Sequence, residues 1–118
     1  MSTPVGPYTP VVRAGDWLIL SGQVGLAEGK LVHGGVAAEA RQALANLAGL
    51  LDGQGASVAQ VVKTTIFLRH IDDYRIVNEI YVEAFGDHRP ARATVAVSGL
   101  PLGALVEIEA WAWVGPSA

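Results

Sequence analysis

An arginine stands inside a short apolar stretch near the C-terminus, where its charge needs a partner. The stretch PARATVAV (90–97) has the composition of a β-strand and carries Arg92. A second strand-like stretch, LVEIEAWAWV (105–114), carries Glu107 and Glu109 among apolar side chains. A buried guanidinium requires a carboxylate, and it binds one through two parallel hydrogen bonds that orient the acid. The two stretches therefore indicate either a structural ion pair or a site for a small carboxylic acid beside a proton-accepting glutamate.

Alternation of side chains predicts how the two stretches are arranged. In the last stretch Glu107, Trp111 and Trp113 share one face, and the intervening small apolar residues form the other face. The intervening segment GLPLGA suits a hairpin connection. If the two strands pair antiparallel, we expect Arg92 to lie on the glutamate face, within a few residues of Glu107.

Hydrophobic periodicity places these strands in an α+β domain that spans residues 1–118. Residues 11–23 predict two short strands around a turn, and the β-branched run 61–70 predicts another strand. Apolar residues recur every three or four positions over 36–51 and 76–85, which predicts two amphipathic helices. The predicted order is strand, strand, helix, strand, helix, strand, strand, with both helices packed on one face of the sheet.

Two helices cannot cover both faces of such a sheet. Trp111 and Trp113 would then leave a large apolar patch on the uncovered face, and such patches usually mark interaction surfaces. We therefore expect a homo-oligomer that forms through this face. The alternative is that a loop or the N-terminal arm folds over the two tryptophans.

Composition excludes several classes of function. The 118 residues include eight Lys and Arg against eleven Asp and Glu and no cysteine, so thiol chemistry is absent and binding to nucleic acid is disfavoured. The N-terminus has no signal-peptide pattern and no apolar run is long enough to span a membrane, which predicts a soluble cytoplasmic protein. His33, His70 and His88 stand at unrelated spacings, and we interpret them as surface residues and predict no metal site.

Six blocks of sequence, in order and with matching spacing, resemble the RidA family, formerly called YjgF. The resemblance runs from about residue 5 to the C-terminus. The blocks are GPYTPVV (6–12), LILSGQVG (18–25), VVKTTIFL (61–68), VNEIYVEAF (77–85), PARATV (90–95) and LPLGALVEIEAWA (100–112).

The resemblance implies a fold and an activity. The implied fold is the chorismate-mutase-like α+β fold, assembled as a homotrimer with clefts between subunits. The implied activity is that of a 2-iminobutanoate/2-iminopropanoate deaminase, which hydrolyses reactive enamines and imines, such as those derived from 2-aminoacrylate, to 2-oxo acids and ammonia. No cofactor is implied, and the implied partners are a small imino or 2-oxo acid and further copies of the chain.

The resemblance also implies roles for individual residues. The catalytic pair is Arg92, which holds the substrate carboxylate, and Glu107, which handles the attacking water. The implied substrate-binding residues are Tyr8, Ser21, Gly22, Asn78, Arg92 and Thr94. Thr94 departs from the cysteine that many members carry two residues after the arginine, so a role there depends on its backbone carbonyl.

Two other functions stay open at this point. The clefts could bind small carboxylates such as 2-oxo acids without catalysis, in which case Glu107 would be dispensable. Some family members also carry an endoribonuclease or translation-inhibitor role, which the acidic composition disfavours.

Overall fold

A five-stranded mixed sheet with two helices on one face forms the part of the chain that the computed structural model describes, residues 6–116. A small separate hairpin lies beside it. The elements in chain order are β1 (Val11–Ala14), β2 (Trp17–Gln23), β3 (Leu26–Ala27), β4 (Lys30–Leu31), α1 (Gly35–Asp52), β5 (Val61–Leu68), α2 (Tyr74–Phe85), β6 (Ala91–Ala96) and β7 (Val106–Trp113). The predicted α+β class and the two predicted helices are confirmed.

The core lies between the helices and one face of the sheet. Alternate residues of each central strand point to this face, and α1 contributes a stripe of Ala and Leu at helical spacing. Its fully buried members include Leu18, Leu51, Ile66, Val106 and Ile108. Burying a side chain of this size stabilises the fold by about 1.5–3 kcal/mol. Because the apolar side chains of each strand alternate onto one face, the helices must cover that face, and the sequence pattern identifies it.

The order of strands in the sheet excludes the hairpin that the connection between the last two strands suggested. The order is β1-β2-β7-β5-β6, so β5 lies between the two strands that were expected to form a hairpin. Helix α2 returns the chain along the sheet, and β6 therefore pairs parallel with β5, while β7 pairs antiparallel with both β2 and β5. The prediction of an antiparallel β6–β7 pair was wrong, because the helical crossover between β5 and β6 was not recognised as a βαβ unit.

This topology separates Arg92 from Glu107. Arg92 is paired with Thr64 and Glu107 is paired with Phe67, and paired residues point to the same face of a sheet. Positions 64 and 67 of β5 are an odd number of residues apart, so they point to opposite faces. Thr64 is buried under the helices. Arg92 therefore lies on the helix face and Glu107 on the open face, and the expectation that they share a face within one chain was wrong.

The open face carries the aromatic residues that the sequence placed there. Trp17 packs edge-on against Trp111 and Trp113, with ring centroids 5.9 and 5.1 Å apart. The Trp113 indole donates a hydrogen bond to the carbonyl of Pro116 (3.0 Å), so the chain after β7 partly covers that ring. Trp111 remains 41% exposed. Part of an apolar patch is therefore present, as expected.

Neither helix within residues 6–116 has the combination of length and hydropathy that a membrane span requires. The sequence of residues 1–10, rich in polar residues and interrupted by Pro and Gly, predicts an extended arm, and residues 1–5 of it lie outside the described residues. From Gly6 onward it forms a turn, in which the Tyr8 amide donates to the Gly6 carbonyl.

Candidate functional site

The guanidinium of Arg92 is surrounded by three side chains of α2, and we call these four residues the arginine cluster. Nη2 of Arg92 donates to Oδ1 of Asn78 (2.7 Å) and to the hydroxyl of Tyr74 (3.2 Å). Its Cζ lies 4.9 Å from the ring centroid of Tyr81 and 5.5 Å from that of Tyr74. Residues 74, 78 and 81 are spaced four and three apart, so they form one stripe of the helix. The helix thus fixes the arginine by hydrogen bonds and cation–π contacts.

The arginine cluster leaves part of the guanidinium available. Among residues 6–116 the Nε and Nη1 groups of Arg92 donate no hydrogen bond, and no carboxylate lies at ion-pair distance from it. A cation that is fixed in place but not neutralised by an acid is suited to bind an anion. The structural ion pair between Arg92 and Glu107 that the sequence left open is therefore absent from the described part of a single chain.

Tyr81 stabilises the base of the arginine cluster. Its hydroxyl and that of Thr64 form a hydrogen bond of 2.7 Å, and both residues are buried. Burial raises the pKa of Tyr81, and the Thr64 hydrogen bond and the nearby Arg92 charge oppose the increase. The phenol therefore stays neutral, and its ring remains a fixed surface for the guanidinium.

Thr94 lies two residues after Arg92 and points to the same face of the sheet. It is paired with Ile66, which is fully buried under the helices. Its Oγ1 is buried and has no hydrogen-bond partner among the described residues. A buried hydroxyl without a partner is costly, by about 1–3 kcal/mol.

Glu107 lies over a glycine on the neighbouring strand. A β-bulge interrupts the pairing of β2 with β7 between Leu20 and Gln23, and Gly22 lies in it. A Cβ atom built on Gly22 would lie only 2.8 Å from Cδ and 2.9 Å from Cγ of Glu107. The absence of a side chain at position 22 therefore makes the space that the glutamate occupies.

The N-terminal arm meets the same bulge. The Ser21 hydroxyl donates to the carbonyl of Thr9 (2.6 Å), and the Ser21 amide donates to the carbonyl of Pro10 (2.8 Å). These bonds bring Tyr8, whose side chain is 44% exposed, to the strand that carries Gly22. We call Tyr8, Ser21, Gly22 and Glu107 the glutamate cluster. Ser21 has a structural role in it, because its proton is already donated.

The glutamate cluster contains one carboxyl group, that of Glu107. Burial raises its pKa, and the charge of Glu109 on the same face of β7 raises it further. Both effects disfavour the carboxylate, so Glu107 is a stronger base than an exposed glutamate. A partly accessible carboxylate with a raised pKa accepts a proton more readily than an ordinary glutamate does.

Two residues near these clusters were missed by the sequence reasoning. Tyr74 was not recognised, although its spacing from Asn78 and Tyr81 is a helical stripe that could have been read. Glu39 on α1 is buried, and its Oε1 accepts a hydrogen bond from the Leu105 amide (2.8 Å). This contact fixes the start of β7, two residues before Glu107, and no local sequence signal reveals it.

The remaining candidates lie elsewhere. A cavity of about 300 Å³ opens between α1 and α2, lined by apolar residues with Arg41 and Glu83 at its rim, and it includes no residue of either cluster. No group of three possible metal ligands occurs within residues 6–116. His88 was expected at the surface, but it is partly buried and its Nε2 lies 2.6 Å from the carbonyl of Val61.

The fold and the two clusters define a small two-layer α+β protein that presents a guanidinium and a carboxyl group from opposite faces of one sheet. The family model described as Endoribonuclease L-PSP matches residues 1–114. The chain therefore belongs to this family, which is the RidA/YjgF family.

Individual relatives agree with this assignment. The chain is 46% identical over 114 residues to a human protein named 2-iminobutanoate/2-iminopropanoate deaminase, covering 95% of this chain and 83% of the human one. It is 39% identical over 112 residues to a RutC family protein of Pyrococcus horikoshii, covering 93% and 89% of the two chains. The structure of RidA from the Antarctic bacterium Psychrobacter sp. superimposes with a TM-score of 0.92 at 33% identity over 95% and 92% of the chains. The structure of E. coli TdcF with bound serine superimposes with a TM-score of 0.89 at 32% identity, and the match covers 95% of this chain and 91% of the TdcF chain.

Proposed function

We propose that this chain is an enamine/imine deaminase that hydrolyses 2-imino acids, such as 2-iminobutanoate and 2-iminopropanoate, to 2-oxo acids and ammonia. The observation that carries the proposal is Arg92, which α2 fixes in place without an acidic partner in the described residues. The human relative, 46% identical, carries the name of this activity. A cytoplasmic location is part of the same proposal.

Arg92 would bind the substrate carboxylate. A 2-imino acid has its carboxylate directly attached to the electrophilic C=N carbon, so binding the carboxylate also fixes that carbon. Positioning of this kind converts an encounter with solvent into a step that is close to intramolecular. In this role Asn78 is a positioning residue, because its amide oxygen already accepts a hydrogen bond from the guanidinium.

Glu107 would act on water. It accepts a proton from water as the water oxygen bonds to the carbon of the protonated imine, which gives a neutral carbinolamine. The same group then returns this proton to the nitrogen. It takes up the proton of the carbinolamine hydroxyl as the C–N bond breaks, ammonia leaves and the C=O bond of the 2-oxo acid forms, and that second proton passes to ammonia or to solvent. The raised pKa of Glu107 suits these transfers, since the group gains and loses a proton within one cycle.

The opposite orientation of Arg92 and Glu107 supports a site that is shared between chains. We propose that the arginine cluster of one chain faces the glutamate cluster of a neighbouring chain across a cleft, in a homotrimer. The partly exposed Trp111 on the open face supports an interface there. Tyr8, Ser21 and Gly22 would line the glutamate side of the cleft, and Thr94 would line the arginine side.

The test of the function follows the imine directly. An amino-acid oxidase acting on L-2-aminobutyrate generates 2-iminobutanoate, and semicarbazide traps whatever imine remains. The wild type should reduce semicarbazone formation, and Arg92→Ala should lower kcat/KM by about 100-fold, since charge-assisted hydrogen bonds contribute roughly 1.5–3 kcal/mol each. Arg41→Ala, which removes the same charge at the rim of the cavity between α1 and α2, where Arg41 lies 3.5 Å from Glu83, is the matched control. Imine decay that is unaffected by stoichiometric wild-type protein would refute the deaminase.

The test of the shared site uses two inactive variants. Arg92→Ala and Glu107→Ala chains are mixed in equal amounts, unfolded and refolded together. If each site takes its arginine and its glutamate from different chains of a cyclic trimer, about a quarter of the sites are intact and activity returns to about that level. No recovery in verified mixed oligomers would refute a site shared between chains.

Binding of 2-oxo acids without catalysis is the second candidate, and Arg92 without an acidic partner favours it equally. Glu107→Gln separates the two functions. A deaminase would lose imine hydrolysis through this change while it still binds 2-oxo acids, whereas a protein that only binds would keep its affinity and would have no hydrolysis to lose. Endoribonuclease activity, named in the description of the family, is tested by incubating the same preparation with single-stranded RNA. The net charge of −3 counts against RNA as the substrate.

A further inference from the structure

The hydroxyl group of Tyr74 has a proton that the arginine cluster does not use. Arg92 can only donate, so in the 3.2 Å contact with Nη2 the tyrosine oxygen is the acceptor. Among the described residues this hydroxyl makes no other hydrogen bond. The side chain is 44% exposed, so a ligand can reach the free proton from solvent.

The geometry of the guanidinium makes this proton important. A carboxylate can dock in a bidentate manner on the edge formed by Nη1 and Nη2 or on the edge formed by Nε and Nη2. Both edges include Nη2, which already donates to Asn78 and to Tyr74. With Nη2 occupied, each edge offers one free N–H, and a docked carboxylate lacks a second donor from Arg92.

We propose that Tyr74 determines specificity for the carboxylate by donating this second hydrogen bond. One carboxylate oxygen accepts from a free N–H of Arg92, and the other accepts from the Tyr74 hydroxyl beside it. The proposal rests on the proposed function, in which Arg92 binds the acid group of a 2-imino or 2-oxo acid. It adds a neutral donor, contributed by α2, to the charge contributed by β6.

Tyr81 shows why the role belongs to Tyr74. Both rings contact the same guanidinium, at 4.9 Å for Tyr81 and 5.5 Å for Tyr74. The Tyr81 hydroxyl, however, is buried against Thr64 on the core side. Of these two hydroxyls, that of Tyr74 is the one that both contacts Arg92 and is exposed to solvent.

The experiment measures binding and catalysis on the same variants. Binding of 2-oxobutanoate, a stable product, is measured by calorimetry, and kcat and KM are measured with oxidase-generated 2-iminobutanoate. Tyr74→Phe keeps the ring over the guanidinium and removes only the hydroxyl, so we expect Kd and KM to rise about three- to tenfold, the range for one hydrogen bond. We expect kcat to stay unchanged, since the bond is the same in the ground state and the transition state. Tyr74→Leu also removes the ring and should weaken binding further.

The outcomes separate this proposal from the deaminase itself. If Arg92→Ala loses binding while Tyr74→Phe binds as the wild type does, the Tyr74 proposal is overturned and the deaminase stands. Tighter binding by Tyr74→Phe would also overturn it, because the hydroxyl would then compete with the ligand for Nη2. A fall in kcat at constant KM would overturn it too, since Tyr74 would only position Arg92. If Arg92→Ala retains full binding and activity, the proposed function fails together with it.

Discussion

The substitution Gly22→Ala tests whether space at the bulge determines activity. The new Cβ would lie 2.8 Å from Cδ of Glu107, against an ordinary contact of at least 3.4 Å, and closer still to Oε2. The carboxyl group must therefore move by about 0.6 Å or more. A displacement of about 1 Å at a catalytic group can reduce the rate about 100-fold. We expect kcat to fall between about 10- and 100-fold.

The stability of the protein should change little in Gly22→Ala. The φ angle of Gly22 lies outside the left-handed region, so alanine can adopt its backbone conformation. The atoms that must move belong to the end of a flexible side chain. Replacing glycine also lowers the entropy of the unfolded chain, which stabilises the fold by about 0.4–1 kcal/mol. The free energy of unfolding should thus remain within about 1 kcal/mol of the wild-type value.

A double-mutant cycle tests whether Gly22→Ala lowers kcat by displacing the Glu107 side chain. The four proteins are the wild type, Gly22→Ala, Glu107→Ala and the double variant, each compared by kcat in the imine assay and by urea unfolding. If glycine acts through the glutamate, Gly22→Ala should have no further effect on kcat once the Glu107 side chain is truncated. Wild-type activity in Gly22→Ala, or an equal loss in both backgrounds, would refute the reasoning.

Three further predictions concern charge, backbone and buried hydrogen bonds. Glu109→Gln removes a charge that raises the pKa of Glu107, so the acidic limb of the kcat/KM–pH profile should shift to lower pH, and an unshifted limb would contradict this. Gly49→Ala, at an exposed position in α1 with nothing within 4 Å, should raise the free energy of unfolding by about 0.5–1 kcal/mol, measured in urea. Tyr81→Phe leaves the Thr64 hydroxyl buried without its partner and should lower the free energy of unfolding by about 1–3 kcal/mol. Thr64→Val added to Tyr81→Phe should cost less than the two separate changes combined, and simple additivity would contradict the explanation.

The fold was predictable where local periodicity determines it. The helix spacing over 36–51 gave α1, and the β-branched run after residue 60 gave β5. Alternation in the last strand correctly placed Val106 and Ile108 in the core and Trp111 on the open face. These features depend only on neighbours along the chain, and a sequence displays them directly.

The order of strands was not predictable in the same way. A short connection rich in glycine and proline fits a hairpin, yet β5 lies between β6 and β7. The decisive feature is the strand–helix–strand unit, which makes β5 and β6 parallel neighbours. Strand β5 therefore occupies the position beside β6 that the hairpin would have given to β7. Side chains alternate between the two faces of a sheet, so the different strand pairing places Arg92 and Glu107 on opposite faces instead of on the same face.

The two clusters also contain some contacts that local sequence predicts and others that depend on tertiary structure. The three residues of α2 that contact Arg92 follow from helical spacing once the helix is known to lie over β6. The contact between Gly22 and Glu107 needs the bulge in β2, and the Glu39–Leu105 hydrogen bond joins residues 66 positions apart. Contacts of this kind depend on tertiary structure, so no local pattern can specify them.

The two clusters lie on opposite faces of the sheet, and each is held by contacts of its own. Arg92 is fixed by hydrogen bonds and rings from α2, and Glu107 by the bulge in β2 and by the Glu39 contact at the start of β7. In the proposed trimer, the position of one framework relative to the other would be set by how the chains assemble. If the proposed shared site is correct, the open sheet face that carries Trp111 would position the two catalytic groups, although none of its indole rings needs to touch the substrate.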